Sequence, residues 1–288
     1  MIPSTPSLRS IAEMMDEFLA YEDQTVVVKI GGNSMAADEG FLPSLARQLE
    51  FLQSRRVRLV VVHGGGPQLD QALHARQVTF TKGADGRRLT SAVAMEAVAE
   101  VMATLTRQVA ESCTAAGCRV RVPAEEGTVF LHAKPLDPRL AAFTPEDRTG
   151  TPSGVDANKL QAFLTTGAIV IMSSLGRGAD GLLCNINADD SAMALAVALK
   201  ARRLILATNV AGVYGADGAP LSRLTPTSAH HLVAEGVIKG GMVPKVESAL
   251  AALAAGVGGV AIVDAHQDWA LLGELLTRQG FGTLITEG

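Results

Sequence analysis

Two runs of β-branched residues, each ending in a cluster of glycines, constrain the fold of this chain more than any other feature. The first run is Val26–Asn33 and the second is Leu59–Pro67. A short apolar run that ends in glycine predicts a buried strand of a parallel sheet. Glycine lets the main chain approach an anion closely, and a helix that begins directly afterwards adds the positive end of its dipole. The pattern therefore predicts two anion-binding loops, with Lys29 as a mobile charge, for one extended anionic ligand or two facing ones.

Composition excludes several classes of protein. A net charge of −4 and an isoelectric point of about 5.9 argue against nucleic-acid binding, and 4% aromatic residues are too few for a base-stacking surface. No apolar run is long enough to cross a membrane, and residues 1–10 lack the features of a signal peptide. Cys113, Cys118 and Cys184 form no CxxC pair, so we expect buried thiols in a reducing, cytoplasmic setting.

Apolar periodicity predicts an α/β protein. The 288 residues, 48% of them hydrophobic, are enough for one large domain or two lobes. Helical spacing at residues 8–20 predicts a helix ahead of the first strand and outside the main sheet. Strands and helices then alternate, which is typical of a parallel sheet flanked by helices. The predicted strands are 26–30, 58–62, 168–173, 203–207 and 259–263, and the predicted helices are 42–52, 68–75, 91–116, 156–166, 190–200, 227–235, 243–255 and 269–278.

Three segments have a less regular pattern. Residues 80–90 predict a hairpin or lid, and residues 120–131 predict an interrupted strand. Residues 135–154 are rich in proline and charge, which predicts a loop. We expect the boundary between two lobes close to residue 175.

Neither of the common phosphate-binding motifs explains the glycine loops. The P-loop pattern GxxxxGK[ST] does not occur. Gly176, Gly178 and Gly181 form a GxGxxG pattern, but a dinucleotide fingerprint needs a helix that opens at its third glycine. Residues 182–186 (LLCNI) come between that glycine and the next helix instead, so we interpret these glycines as a tight turn.

Two lysines occupy positions where a positive charge is unfavourable for the structure alone. Lys29 interrupts an apolar strand, and Lys245 lies just inside a helix N-terminus, where the dipole disfavours a cation unless a phosphate binds there too. A solvated edge position is the alternative for each. Residues 185–190 open a helix, and one of them is expected to cap it. Asp189 could also hold the lysines in place or bind Mg²⁺ carried by a nucleotide.

Other candidates are more ambiguous when taken singly. Arg88 suits bidentate recognition of a carboxylate, or is a solvated hairpin charge. His63 could bind a ligand or be a hydrogen-bonded residue at a strand end, and a strip that includes Met95 and Met102 indicates helix core. Lysine charges and loop N–H groups together would neutralise the charge that develops on a transferred phosphoryl group. The residues alone therefore indicate phosphoryl transfer without a P-loop and without a nucleophilic side chain.

These motifs, in this order, resemble the amino acid kinase family, and most closely its branch that acts on N-acetyl-L-glutamate. The resemblance extends over residues 25–285 and is carried by residues 29–35, 63–68, 86–90, 185–189, 209–213 and 236–245. It implies a three-layer αβα sandwich with an open, mainly parallel eight-stranded sheet. It also implies an N-terminal helical extension at 1–24 and a kinase domain at 25–288, in which 25–175 bind the acyl substrate and 176–288 bind ATP.

The activity that the resemblance implies is transfer of a phosphoryl group from ATP, which carries Mg²⁺, to the γ-carboxylate of N-acetyl-L-glutamate, the second step of arginine biosynthesis. Lys29 and Lys245 look like the lysines that stabilise the transition state, and Asp189 looks like the acid that organises them. No metal site of the protein itself is implied. The implied substrate-binding residues are Gly31, Gly32, Gly64, Gly65, Arg88, Asn185 and Asn187. The implied ATP-binding residues are Lys29, Gly31, Thr208, Asn209, Val213, Tyr214, Gly241, Met242 and Lys245.

Two departures from the family pattern leave alternatives open. The family usually has Leu-Thr-Asp-Val where this chain has Ala207–Val210, and Arg-Val-Thr-Asp where it has Arg88–Ser91. Kinases of N-modified α-aminoadipate in lysine synthesis show similar variants, so a substrate one methylene longer is one alternative. A non-catalytic regulatory relative of acetylglutamate synthase is another, although both lysines are kept and we expect no fused acetyltransferase domain.

The family also suggests how the chain assembles. A homodimer through the central sheet is implied, and a hexamer if residues 8–20 interlace dimers. An ordinary packed terminal helix is the alternative. Inhibition by arginine is a further expectation, whereas nucleic acids and membranes are not expected as partners.

Overall fold

The fold is built around a central sheet of eight strands. A computed structural model describes residues 8–83, 87–136, 147–277 and 280–288, with side chains from residue 14 onward. The strands are β1 (Thr25–Ile30), β2 (Arg58–His63), β3 (Thr81–Lys82), β4 (Arg88–Leu89), β5 (Val120–Arg121), β6 (Leu131–Pro135), β7 (Thr149–Val155), β8 (Ile169–Ser173), β9 (Leu175–Arg177), β10 (Leu183–Ile186), β11 (Arg203–Thr208), β12 (Arg223–Leu224), β13 (Val260–Asp264) and β14 (Gly282–Ile285). The helices are α1 (Leu8–Leu19), α2 (Gly32–Ala37), α3 (Phe41–Ser54), α4 (Gly66–Ala75), α5 (Ala92–Ala115), α6 (Ala157–Leu164), α7 (Ala188–Ala198), α8 (Pro226–Ala234), α9 (Met242–Ala254) and α10 (Ala270–Leu276), with a 3₁₀ turn at Pro123–Glu126.

The strand order in the large sheet is β12-β14-β13-β11-β1-β2-β8-β5. Its pairs are parallel except the pair of β13 with β14, which is antiparallel. The predicted open, mainly parallel eight-stranded sheet is therefore confirmed. From β1 the chain passes to β2 on one side, while β11 and β13 lie on the other. This reversal leaves a crevice beyond the carboxyl end of β1, which is where open α/β sheets bind ligands.

Helices cover both faces of the sheet, as the continuous apolar strands predict. Successive residues of β1 point to opposite faces, so Val27 packs with residues of α7 and α9 while Val28 packs with residues of α3 and α10. Both valines are almost completely buried. Two hydrophobic layers thus hold β1 in place from above and below, and the three-layer architecture is confirmed.

Strands β1 and β2 end together, and each passes directly into a helix. The register pairs Ile30 with His63, the last residues of the two strands. Gly31 precedes α2 and Gly65 precedes α4 as the capping residues. The two glycine clusters therefore leave the sheet side by side at the same edge, with two helix N-termini behind them.

Two smaller β structures stand beside this edge. Strands β6, β7, β9 and β10 close into a small barrel, and β3 pairs with β4 in an antiparallel hairpin. The hairpin was predicted for residues 80–90, of which 84–86 lie outside the described residues. The tight turn predicted at the GxGxxG glycines is confirmed, since Gly178 N donates to Leu182 O at 2.8 Å between β9 and β10.

The predicted loop at residues 135–154 is wrong in its last part, where β7 pairs with β6. Residues 137–146 of that segment lie outside the described residues. The sequence of β7 (TGTPSGV) lacks the alternation of a typical strand, and pairing within the barrel overrides this weak propensity. The short strands β12 and β14 were not predicted. Within the described ranges, no helix is long and apolar enough to span a membrane.

Candidate active site

Three charged side chains from distant parts of the chain meet at the carboxyl edge of the sheet. Lys29 comes from β1, Asp189 from the first turn of α7, and Lys245 from the start of α9. Lys29 Nζ lies 2.8 Å from Asp189 Oδ1, and Lys245 Nζ donates a hydrogen bond to Asp189 Oδ2. We call this group the lysine–aspartate triad. Lys29 belongs to a central strand and is 12% exposed, so a solvated edge position for it is wrong.

The triad is a fixed positive charge. Burial alone would raise the pKa of Asp189, but the charges and hydrogen bonds of Lys29 and Lys245 outweigh burial and lower this pKa to about 2. The carboxylate is therefore ionised at neutral pH and balances one of the two ammonium groups. The remaining positive charge suits a ligand with several negative charges.

Asn187 fixes the position of Asp189. Its side chain caps α7 by accepting hydrogen bonds from Asp189 N at 2.8 Å and Asp190 N at 3.4 Å. The predicted capping role within residues 185–190 is thus confirmed, and the helix begins at Ala188 rather than at residue 190. The cap holds Asp189 in the first turn, between the two lysines.

The two glycine loops are in close contact at the same edge. Gln68 Nε2 donates to Gly32 O at 2.9 Å, which ties α4 to the loop after β1. A Cβ atom added at Gly32 would lie 2.8 Å from both Gln68 Oε1 and Gly66 N, closer than any side chain tolerates. Glycine at position 32 is therefore required for the loops to approach each other this closely.

The Arg88 side chain lies between the hairpin and α4, with 8% of it exposed. Its Nη2 donates to Gly66 O at 3.0 Å and to Asp70 Oδ1, and its guanidinium group lies 5.2 Å from the centre of the Phe80 ring. Lys82 Nζ also contacts Asp70, at 2.9 Å. Burial raises the pKa of Asp70, yet Arg88 and Lys82 outweigh this effect and lower it below its usual value. A solvated hairpin charge is therefore the wrong interpretation of Arg88.

Asn185, at the end of β10, is held by a buried hydrogen bond. Its Nδ2 donates to Thr90 Oγ1 at 2.9 Å, and its side chain is largely buried. Arg88 and Asn185 are 97 residues apart in the chain, yet both border the same space. That space is a cavity of about 280 Å³, large enough for a small dicarboxylate. The predicted site residues that line it are Lys29, Gly31, Gly32, Gly64, Gly65, Arg88, Asn185, Asn187 and Asp189.

The residues predicted for ATP alone do not line this cavity. They are Thr208, Asn209, Val213, Tyr214, Gly241 and Met242. Val213 is buried in the core, its N–H donates to Thr283 Oγ1 at 2.8 Å, and its carbonyl accepts from Leu221 N at 2.8 Å. Tyr214, by contrast, is 44% exposed. Both backbone groups of Val213 are thus engaged within the fold, whereas the Tyr214 side chain is accessible.

His63 is a hydrogen-bonded residue at a strand end, one of its two predicted interpretations. It is completely buried, with Nε2 2.7 Å from Thr106 Oγ1 and Nδ1 3.2 Å from Gly64 O. Burial lowers its pKa to about 4, against the smaller opposing effect of the Gly64 hydrogen bond. The imidazole is therefore neutral at physiological pH and supports the second glycine loop from behind. Met95 and Met102 are buried as predicted.

Sequence reasoning missed three residues that position the site. Gln68 and Asp70 lie in the first turns of α4 and reach Gly32 and Arg88, respectively. Thr90 follows Arg88 by two residues and holds Asn185. For Gln68 and Asp70 the available signal was a polar side chain in the helix turns that follow a glycine loop. The partner of each of the three side chains comes from a different segment of the chain.

Comparison with known proteins places the chain in a family. Residues 24–264 match the amino acid kinase family, and the chain belongs to it. An acetylglutamate kinase from Ruegeria sp. (strain TM1040) is 37% identical over 266 residues, which are 92% of this chain and 90% of that protein.

Solved structures agree with this placement. The N-acetylglutamate synthase from Neisseria gonorrhoeae, complexed with coenzyme A and N-acetyl-glutamate, has a TM-score of 0.85 and 25% identity over 99% of this chain. The same synthase complexed with coenzyme A and L-arginine has a TM-score of 0.84 and 26% identity over 99% of this chain. This chain covers 64% and 66% of those two synthase chains, which is less than two thirds of their length.

Proposed function

We propose that this protein is a phosphotransferase that transfers a phosphoryl group from ATP to the γ-carboxylate of N-acetyl-L-glutamate, a step of arginine biosynthesis. The observation that carries the proposal is the lysine–aspartate triad, of which Lys29 and Asp189 line the same cavity as Arg88 and Asn185. The relative from Ruegeria supports the acyl substrate. Arg88 would bind the α-carboxylate, and Asn185 would bind the acetylamino group.

The residues fit a reaction in which the protein supplies charge and position. A γ-carboxylate oxygen attacks the γ-phosphorus, the bond from phosphorus to the bridging oxygen breaks, and ADP leaves with that oxygen. No general base is needed because a carboxylate is already ionised at neutral pH. Lys29 and Lys245 neutralise the charge on the equatorial and leaving oxygens, and the N–H groups of Gly32 and Gly65 bind phosphoryl and substrate oxygens.

Mg²⁺ would be bound by the phosphates of the nucleotide and not by a carboxylate of the protein. Both carboxylate oxygens of Asp189 are engaged by ammonium groups, which suits a positioning role and not metal ligation. Mg²⁺ bound to the nucleotide phosphates would supply further positive charge. We place the adenine and ribose over the second half of the chain, beside Thr208, Asn209, Tyr214, Gly241 and Met242.

The test is acyl phosphate formation, trapped as the hydroxamate, with ATP, Mg²⁺ and either N-acetyl-L-glutamate or N-acetyl-L-α-aminoadipate. We expect a clear preference for acetylglutamate. Preference for the longer acid would move the protein to lysine synthesis. No turnover with either acid, together with tight binding of acetylglutamate, would indicate a regulatory relative.

We further propose that the protein assembles into a hexamer and that arginine inhibits it. Helix α1 exposes Met14, Met15 and Leu19, an apolar side that supports contact between dimers in a hexamer. The synthase structure that contains L-arginine supports inhibition by arginine. Light scattering of the full chain and of a chain that lacks residues 1–20 tests the first point, because an unchanged mass after deletion would contradict it. Arginine titration of the kinase assay tests the second.

A further inference from the structure

Thr90 connects Arg88 and Asn185, the two residues that are proposed to bind the acyl substrate. Its hydroxyl group donates a hydrogen bond to Arg88 O at 3.2 Å and accepts one from Asn185 Nδ2 at 2.9 Å. Its backbone N–H donates to Thr149 Oγ1 at 2.8 Å, and the Thr149 hydroxyl lies 3.1 Å from Arg88 O. Thr90 is completely buried. This network links the carbonyl of Arg88 to the side chain of Asn185 without a flexible element between them.

The direction of these hydrogen bonds decides which atom Asn185 offers to a ligand. A hydroxyl group has one proton, and in Thr90 that proton is directed to Arg88 O. The Thr90 oxygen therefore acts as the acceptor toward Asn185 and engages the NH₂ group of the amide. The other amide atom, Asn185 Oδ1, has no hydrogen-bond partner among the described residues, and Asn185 lines the cavity.

We propose that Thr90 is a specificity-determining positioning residue, which fixes the Asn185 amide with Oδ1 toward the cavity as an acceptor for the substrate's amide N–H. The inference rests on the proposed function of this cavity. It adds that the protein recognises the amide N–H of the substrate, through an Asn185 side chain that Thr90 orients. An acceptor in this position favours a substituent with an N–H group over an ester at the same place. The structural alternative is that Thr90 only fastens the hairpin to the small barrel.

The first experiment replaces Thr90 by valine and by serine. Thr90→Val keeps the volume but removes the hydroxyl, so the amide of Asn185 is free to turn over. We expect KM for N-acetyl-L-glutamate to rise about tenfold, the effect of one hydrogen bond, while kcat and KM for ATP change less than about twofold. Thr90→Ser keeps the hydroxyl and should restore KM. Thr104→Val is the matched control, since the exposed Thr104 hydroxyl also bonds to a backbone carbonyl, that of Glu100.

The second experiment compares the amide substrate with 2-acetoxyglutarate, in which an ester oxygen replaces the amide N–H. The wild type should favour the amide by about 100-fold in kcat/KM, because Asn185 Oδ1 would face an oxygen in the ester. In Thr90→Val this ratio should fall to about tenfold or less, since the released amide can present NH₂ to the ester. A merely structural role lowers kcat/KM for both compounds equally. An unchanged ratio in Thr90→Val would therefore overturn the inference.

A third readout separates this inference from the proposed function. In ¹⁵N-labelled protein, the side-chain NH₂ protons of Asn185 should exchange with water slowly in the wild type and in Thr90→Ser, and faster in Thr90→Val. If the wild type phosphorylates neither acid but this pattern holds, the function is wrong and the positioning role of Thr90 stands. If the wild type is an active kinase and exchange is equally fast in all three proteins, the inference fails alone.

Discussion

Lys29 Nζ lies 2.8 Å from Asp189 Oδ1, and this ion pair joins the central strand of the sheet to the first turn of α7. The two residues are 160 positions apart in the chain. Because Asp189 also binds Lys245, one carboxylate sets the positions of both ammonium groups. The geometry of the two cations is therefore controlled from a single side chain.

Replacing the Asp189 carboxylate should remove the ion pairs that hold Lys29 and Lys245 in position. In Asp189→Asn we expect kcat to fall by about 10²–10³, the usual cost of losing oriented charge at a transition state. Steady-state kinetics with both substrates measures this. Asp217→Asn, in an exposed turn where asparagine can still accept from Ala219 N, is the control and should behave like the wild type. Equal activity of the two variants would contradict an organising role for Asp189.

Lys245 should contribute to turnover and little to folding. Its side chain is 27% exposed, so Lys245→Ala removes a charge beside Asp189 without opening the core. We expect kcat to fall by about 10²-fold or more, with the free energy of unfolding changed by about 1 kcal/mol at most. The control is Lys159→Ala, whose ammonium group lies 3.6 Å from Asp156 on the surface. Near-normal turnover in Lys245→Ala would exclude it from the mechanism.

The buried imidazole of His63 should make the free energy of unfolding depend on pH. Its pKa is about 4 in the folded protein, and about 6.5 when unfolded, so the unfolded chain binds more protons between these values. The stability that the neutral imidazole contributes is complete above pH 6.5 and is lost as the pH falls toward 4, by about 3 kcal/mol in total.

Urea unfolding of the wild type and of His63→Gln across this pH range measures that loss. The variant should lose less stability on acidification, whereas His230→Gln on the surface should follow the wild type. Parallel curves for the wild type and His63→Gln would show that His63 does not remain neutral in the fold.

Gly32→Ala tests the close contact of the two loops. The added methyl group would lie 2.8 Å from Gln68 Oε1 and from Gly66 N, so the loops must move apart. Since a displacement of about 1 Å at a site can cost 10²-fold in rate, we expect a loss of at least this size in kcat/KM. Gly154→Ala is the control, because its methyl group meets His132 at an ordinary distance of 3.7 Å. Full activity of Gly32→Ala would mean that the contact is not needed.

The five longest parallel strands of the sheet (β1, β2, β8, β11 and β13) were predictable, because they are largely continuous apolar runs. Strand β7 was not, since its glycine, proline and serine residues form a strand only through pairing with β6. The triad residues were predictable singly, because a lysine in an apolar strand or at a helix N-terminus is unexpected on its own. Their meeting on one carboxylate depends on tertiary packing. Thr90 could not be predicted, because an isolated threonine carries no sign that it will accept a hydrogen bond from Asn185, 95 positions away.

The order of the strands has a consequence for synthesis on the ribosome. Strand β1, which carries Lys29, emerges among the first segments but lies between β2 and the late strand β11. Lys245 follows still later, on α9. Under the proposed function, a nascent chain therefore holds only one of its two catalytic cations until α9 has been made, and a fragment that ends before α9 lacks Lys245.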